Sequence, residues 1–182
     1  MNVKDHFRLM AAYNRRLNEQ LYQAAASLPE AELERDVGAF FKSIMGSLNH
    51  IVVGDLLWLS RFATHAESYQ SLARLETYPK PGSLDERLFD DFNACWAVRK
   101  ELDEIIQEWL LSEILEVDFD RDLIYKNSKG VASSRNFAEL LFHFFNHQTH
   151  HRGQISTLLY QQGIDVGVTD FLIDIPDALR EQ

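Results

Sequence analysis

Cysteine is nearly missing. Cys95 is the single thiol among 182 residues, so no disulfide can form within the chain, and a chain this long can bury a core without one. Long hydrophobic runs are missing too. No stretch of about 18 residues is free of charge, because Asp55 interrupts the most apolar segment, so no membrane span is expected. Basic charge is in short supply: 18 Lys and Arg stand against 28 Asp and Glu, a net charge of −10 with His neutral. That field repels a phosphate backbone, and the densest basic group, Arg8, Arg15 and Arg16, is soon met by acids, so nucleic acid is not an expected partner. The opening residues, Met1 to His6, lack the apolar run of a signal peptide. With one thiol and no leader, the expected location is a reducing compartment, the cytoplasm. No CxxC pair, glycine-rich phosphate loop or Ser-His-Asp order is present.

What is there is helical periodicity. Phe7, Met10, Ala11, Asn14, Leu17, Leu21 and Ala25 recur at spacings of three and four, predicting a helix over about residues 3–27. Leu28-Pro29 ends it, and an acidic connection follows up to Gly38. A second helix over about 42–64 is apolar nearly all round, which places it centrally. A long link over about 67–83 closes with Pro79, Pro81 and Gly82, and Ser83 with Glu86 reads as a capping box for a third helix running to Trp109. Short alternating runs around Asn127-Ser128-Lys129-Gly130 suggest a small hairpin. Ser134 or Asn136 then caps a fourth helix ending near Gln162 at Gly163, and the remaining residues should fold back as loop and short helix. The expected fold is a single all-α domain over 1–182, a four-helix bundle with a hairpin-like insertion before the last helix.

The histidines are clustered. Four of seven lie on the fourth helix: His143, His147, His150 and His151. His143, His147 and His151 follow each other at i, i+4, i+8, so successive rings share a face, and the line meets the apolar stripe at His151. Two imidazoles four apart can reach one metal ion, and a third ligand would come from His50 on the crowded second helix. Gly46 and Gly54 flank His50 on its own face and should leave space beside its ring. Three neutral nitrogens would leave a coordination position open, the feature of catalytic sites. Spacing does not choose between the pairs His143/His147 and His147/His151, and it does not choose among Zn, Ni, Cu and Fe. His6 and His65, at helix ends, read as solvated. Asn14 and Asn18 lie near the apolar face of the first helix as buried hydrogen-bond partners or pocket lining. Asp55 must be paired, with Arg61 or another arginine, or else supports a ligand imidazole. Trp58, Trp96, Trp109 and Cys95 read as packing residues. No residue stands out as a catalytic acid or base.

Three stretches carry a resemblance: Tyr13-Asn14-Arg15-Arg16-Leu17-Asn18, Ser47 to Leu59 around Asn49-His50, and Asn146-His147-Gln148-Thr149-His150-His151-Arg152-Gly153-Gln154. Through them the chain resembles the DinB-like (DinB/YfiT) superfamily, four-helix bundles credited with metal dependence and unrelated to the DNA polymerase of the same name. The resemblance implies an up-down-down-up order, which the long crossover would permit. It implies a metal held by His50, His147 and His151, with nickel or zinc as the usual occupant, and a homodimer. Better understood relatives use the metal in reactions of low-molecular-weight thiols, so the expected function is thiol-dependent S-transfer or isomerisation on a small-molecule substrate. The alternatives are a metal-dependent hydrolase, or a non-catalytic metal-binding stress protein acting as a dimer.

Overall fold

The computed structural model describes residues 2–127 and 130–177. Its four long helices are α1 (Val3–Ala25), α3 (Ile44–Phe62), α5 (Phe92–Glu108) and α6 (Phe137–Gln161). Each begins at a short polar residue whose side-chain oxygen accepts the backbone N–H three positions on. Asn2 caps α1 (2.8 Å to Asp5), Ser43 caps α3 (3.0 Å to Gly46), Asp91 caps α5 (2.7 Å to Ala94) and Asn136 caps α6 (3.1 Å to Glu139). At the far end of α5 the chain widens into a π-helical turn, Trp109–Glu113, and Arg8 of α1 reaches the carbonyls of Leu110 and Leu111 there.

Side-chain contacts fix the helix directions. Tyr22 meets Cys95, Asn18 meets Asp103, and Arg8 meets Leu110, so α1 and α5 run antiparallel. Phe7 packs on Phe145 and Asn14 bonds Arg152, so α1 and α6 run parallel. Asp55 pairs with Arg99 and Phe62 stacks on Trp109, so α3 and α5 are also parallel. His50 meets His151 and Phe62 meets Phe137, which makes α3 and α6 antiparallel. The bundle is therefore up-down-down-up.

Two parallel neighbours, α3 and α5, need a long crossover, and the link between them carries a short helix α4 (Gln70–Ala73) and a 3-10 turn (Arg74–Thr77). Another short helix, α2 (Glu30–Glu34), sits in the connection expected to be loop. The third long helix starts later than its sequence suggests. Glu86 accepts from the Gly82 N–H instead of closing a capping box with Ser83, and Asn49 Oδ1 accepts from the backbone N–H groups of Leu88 (3.0 Å) and Phe89 (2.9 Å), holding them outside the helix. The hairpin is present: β1 (Asp122–Lys126) pairs antiparallel with β2 (Ala132–Asn136). Gly130 takes φ +75° at its turn, while Ser128 and Lys129 lie outside the described residues. The chain after Gly163 lies along α1, where Tyr13 donates to the Thr169 carbonyl and Arg16 pairs with Asp174 at 2.5 Å. Residues 178–182 of that expected tail lie outside the described residues. No helix among the described residues is long and apolar enough to cross a membrane.

The buried interior has two zones. One end is aromatic: Phe7, Phe62, Trp109, Phe137, Phe144 and Phe145 are all fully or almost fully enclosed. Trp58 and Trp96, expected beside Trp109 in the core, are only half-buried at its margins. Cys95 is enclosed against the Tyr22 hydroxyl at 3.3 Å, and burial pushes its thiol up to about 11, an inert packing residue. Toward the other end the interior turns polar, with Asn14, Asn18, Asp55, Arg99, Asp103, Gln148 and Arg152 buried between the helices.

Candidate metal centre

Antiparallel packing of α3 on α6 brings His50 opposite His147 and His151. The His50 Nε2 lies 3.2 Å from the Nε2 of His147 and 3.2 Å from the Nε2 of His151, and one ligand atom from each residue falls within 4.8 Å of the others. No carboxylate or thiol joins the three among the described residues.

Local sequence makes this close approach possible. A Cβ on Gly54 would sit 2.8 Å from the Cε1 of His147, so the missing side chain is what lets that ring lie against α3. A Cβ on Gly46 would sit 2.2 Å from the Phe41 carbonyl, so that glycine admits the loop before α3. The glycines therefore do not clear space for His50 itself, as their spacing suggested. One seats the opposing imidazole, and the other lets Phe41 stack on His50, with centroids 3.8 Å apart and planes 18° apart.

Two of the three outward nitrogens meet oxygen acceptors. His50 Nδ1 lies 2.8 Å from the Leu84 carbonyl, which can only accept, so Nδ1 carries the proton and Nε2 keeps its lone pair. His151 Nδ1 lies 2.7 Å from Gln154 Oε1 and is fixed in the same sense. Asn49 supports the first of these contacts. Besides accepting from Leu88 and Phe89, its Nδ2 donates to the Phe89 carbonyl at 2.9 Å, clamping the segment that carries Leu84. Burial lowers the pKa of His50 and His151, and burial plus the neighbouring imidazoles depress His147 to about 3. The rings are thus neutral at neutral pH, the form that ligates metal.

With their Nδ1 protons directed outward, His50 and His151 turn two lone pairs inward beside the His147 Nε2, and a cation among the three nitrogens would be bound by all of them. Zn–N bonds of 2.0–2.1 Å at tetrahedral angles separate ligand nitrogens by about 3.3 Å, close to the 3.2 Å found for two of the pairs. With the second nitrogens of His50 and His151 held by oxygen acceptors, the cluster has the donor set of a three-histidine site that could hold a metal ion.

Other candidates fall elsewhere. His143 and His150 are exposed neighbours, the first edge-on to Trp58 and the second edge-on to His151. His65 is not solvated. It stacks on Phe137 at 3.9 Å and its Nε2 meets the Asp118 carbonyl at 3.0 Å, while His6 packs beside Phe7 and Phe142. Asp55 points away from the imidazoles and pairs with Arg99, whose other side meets Asp103 at 3.0 Å. Asn14 and Asn18 link Asp103 to Arg152 in the same layer, so neither Asn14 nor Asp55 supports the histidines. Phe41, Asn49, Leu84 and Gln154 had no role assigned from sequence. Gln154, three residues past His151 on one helix, was open to discovery by spacing. A backbone carbonyl supplied by a loop residue such as Leu84 was not.

An up-down-down-up bundle carrying three convergent histidines between its second and fourth long helices is the architecture of a DinB-like protein. The chain belongs to the DinB family, whose sequence profile matches residues 1–180. It is 25% identical over 166 residues to Protein DinB of Bacillus subtilis (strain 168), covering 87% of each chain. No solved structure matches it.

Proposed function

We propose that the protein is a metal-dependent enzyme in which His50, His147 and His151 bind a divalent transition ion, nickel or zinc, for a thiol-dependent S-transfer or isomerisation. The observation that carries this reading is the convergence of three Nε2 atoms, two of whose rings, those of His50 and His151, are oriented from behind by Leu84 and Gln154. A bound ion at such a site supplies Lewis acidity and lowers the pKa of a coordinating thiol. The protein's own share is to keep three neutral imidazoles in place and to leave a side of the cluster open. His147 and His151 are only partly covered, whereas His50 lies under Phe41.

Thiol chemistry is favoured over water activation because no carboxylate joins the histidines to serve as general base among the described residues. A thiol brings its own nucleophile and needs only to lose a proton. A reducing cytoplasm suits both that reaction and the lone Cys95. The expected homodimer belongs to the same proposal, and the exposed Phe142, Leu172 and Ile173 offer apolar surface for it; sedimentation would measure it.

The test is spectroscopic. Co²⁺-loaded protein titrated with small thiols should develop a sulfur-to-cobalt charge-transfer band that azide also perturbs. An unchanged spectrum would leave the ion coordinatively closed and remove the enzyme reading.

A further inference from the structure

Beyond His147 the seam between α3 and α6 runs on toward the hairpin. Along α3 the residues facing it are His50, Gly54, Trp58 and Arg61; along α6 they are His151, His147, His143 and Glu139. Ring contacts link the two ends: His147 to His143 at 6.2 Å between centroids, then His143 edge-on to Trp58 at 5.0 Å. At the far end of these contacts lies a cleft of about 330 Å³, lined by Trp58, Tyr125, Arg135, Glu139, Leu140 and His143. That is the size of a pocket for part of a small molecule.

Its cations are unusual for this protein. Arg8, Arg15, Arg16, Arg35, Arg74, Arg87, Arg99, Arg121 and Arg152 each donate to at least one oxygen. Among the described residues only Arg61 and Arg135 have guanidinium groups without an oxygen partner; Arg135 lines this cleft, and Arg61 stacks on two of its walls, Trp58 and Tyr125. Arg61 lies 4.7 Å from the Trp58 ring centre and 5.2 Å from that of Tyr125, and burial, with the Arg61 charge adding to it, lowers the pKa of His143. A half-buried guanidinium that has given up water and stacks on two rings still has unused donors. Against these two cations stands one acid, Glu139, leaving the cleft one positive charge in excess, which suits a monoanion better than a dianion.

We infer that this cleft binds a carboxylate on the substrate whose reacting group reaches the three histidines, with Arg61 and Arg135 as its cationic contacts and Trp58 and Tyr125 as its apolar walls. The inference rests on the metal-centre reading only for the substrate's other end, so the carboxylate end is tested first without metal. Metal-free protein is titrated with hexanoate and, separately, with 1-hexanol, reading tryptophan emission. Hexanoate should give a saturable change that 1-hexanol does not. The change should disappear in Trp58→Phe, persist in Trp96→Phe, and weaken by about fivefold in each of Arg61→Gln and Arg135→Gln.

The second arm compares 6-mercaptohexanoate with 6-mercapto-1-hexanol on Co²⁺-loaded protein. The carboxylate should bind about tenfold more tightly, a preference lost in the Arg61→Gln/Arg135→Gln double variant. No saturable response to hexanoate, an equal response to hexanol, or a preference surviving the double variant overturns the inference. If Co²⁺ fails to bind, the metal reading falls, and the hexanoate titration still decides the cleft.

Discussion

The polar layer on the bundle axis draws on all four long helices and shares two of them, α3 and α6, with the histidine cluster. His50 and Asp55 sit on one, His151 and Arg152 on the other, and each pair divides its side chains between the two places. In the axial layer two carboxylates, Asp55 and Asp103, face two guanidinium groups, Arg99 and Arg152, with Asn14 and Asn18 bridging them. Charge there cancels within the protein. In the histidine cluster three imidazole nitrogens converge and no carboxylate lies among them in the described residues. Burial marks both as polar exceptions to an apolar interior, so burial alone cannot tell a structural cluster from a ligand site. Whether opposite charges face one another does.

That contrast can be broken by exchanging the expected consequences of mutation. Arg99→Met leaves two carboxylates short of a partner in a water-free layer and should cost about 3–5 kcal/mol in urea unfolding, with metal stoichiometry unchanged in the folded fraction. His151→Ala should do the reverse, moving metal-free stability by no more than about 1 kcal/mol while abolishing tight metal binding. If both variants lose stability equally, the two clusters are not different in kind.

Gly54→Ala tests the approach of the helices. A methyl 2.8 Å from the His147 ring must displace it, so metal affinity should fall by about tenfold or more, while a better helix former offsets the strain in overall stability. Gln154→Leu should weaken metal binding by about tenfold through loss of the Nδ1 acceptor of His151. Competition with a chromogenic chelator measures both.

The two clusters also differ in the sign of their pH dependence. Folding depresses His147 from 6.5 to about 3, so the metal-free protein loses the stability tied to its neutral form as pH falls from 6.5 toward 3. Burial raises Asp55 from 3.8 to about 6 despite Arg99, so its contribution runs the other way, with stability gained as pH falls from 6 toward 3.8. Thermal melts across this range should show a shallower acid loss in His147→Ala and a steeper one in Asp55→Asn.

Much of this was legible in the sequence, for local reasons. Three- and four-residue periodicity located the long helices, and Asn127 with Gly130 marked the hairpin. Spacing brought His50 into play with the fourth helix but left its partners open until the resemblance to DinB-like proteins favoured His147 and His151. What escaped was set by tertiary contact. Ser83 and Glu86 satisfy a capping pattern, yet Asn49, from another helix, takes the backbone N–H groups that follow and delays α5. Asp55 finds Arg99, forty-four residues on, in place of Arg61 six residues on, because α3 and α5 run side by side in the same direction. Gly54 was read as space for the residue one turn away on its own helix, whereas it makes room for a ring on the opposite one.

The most direct measurement is the metal content of protein purified without an affinity tag, beside His50→Ala and His147→Ala. Ligation by histidines from both α3 and α6 predicts about one equivalent of a transition metal in the parent protein and none in either variant, each variant remaining folded. No metal in the parent even after adding Zn²⁺ or Ni²⁺, or full metal content in either variant, would contradict it.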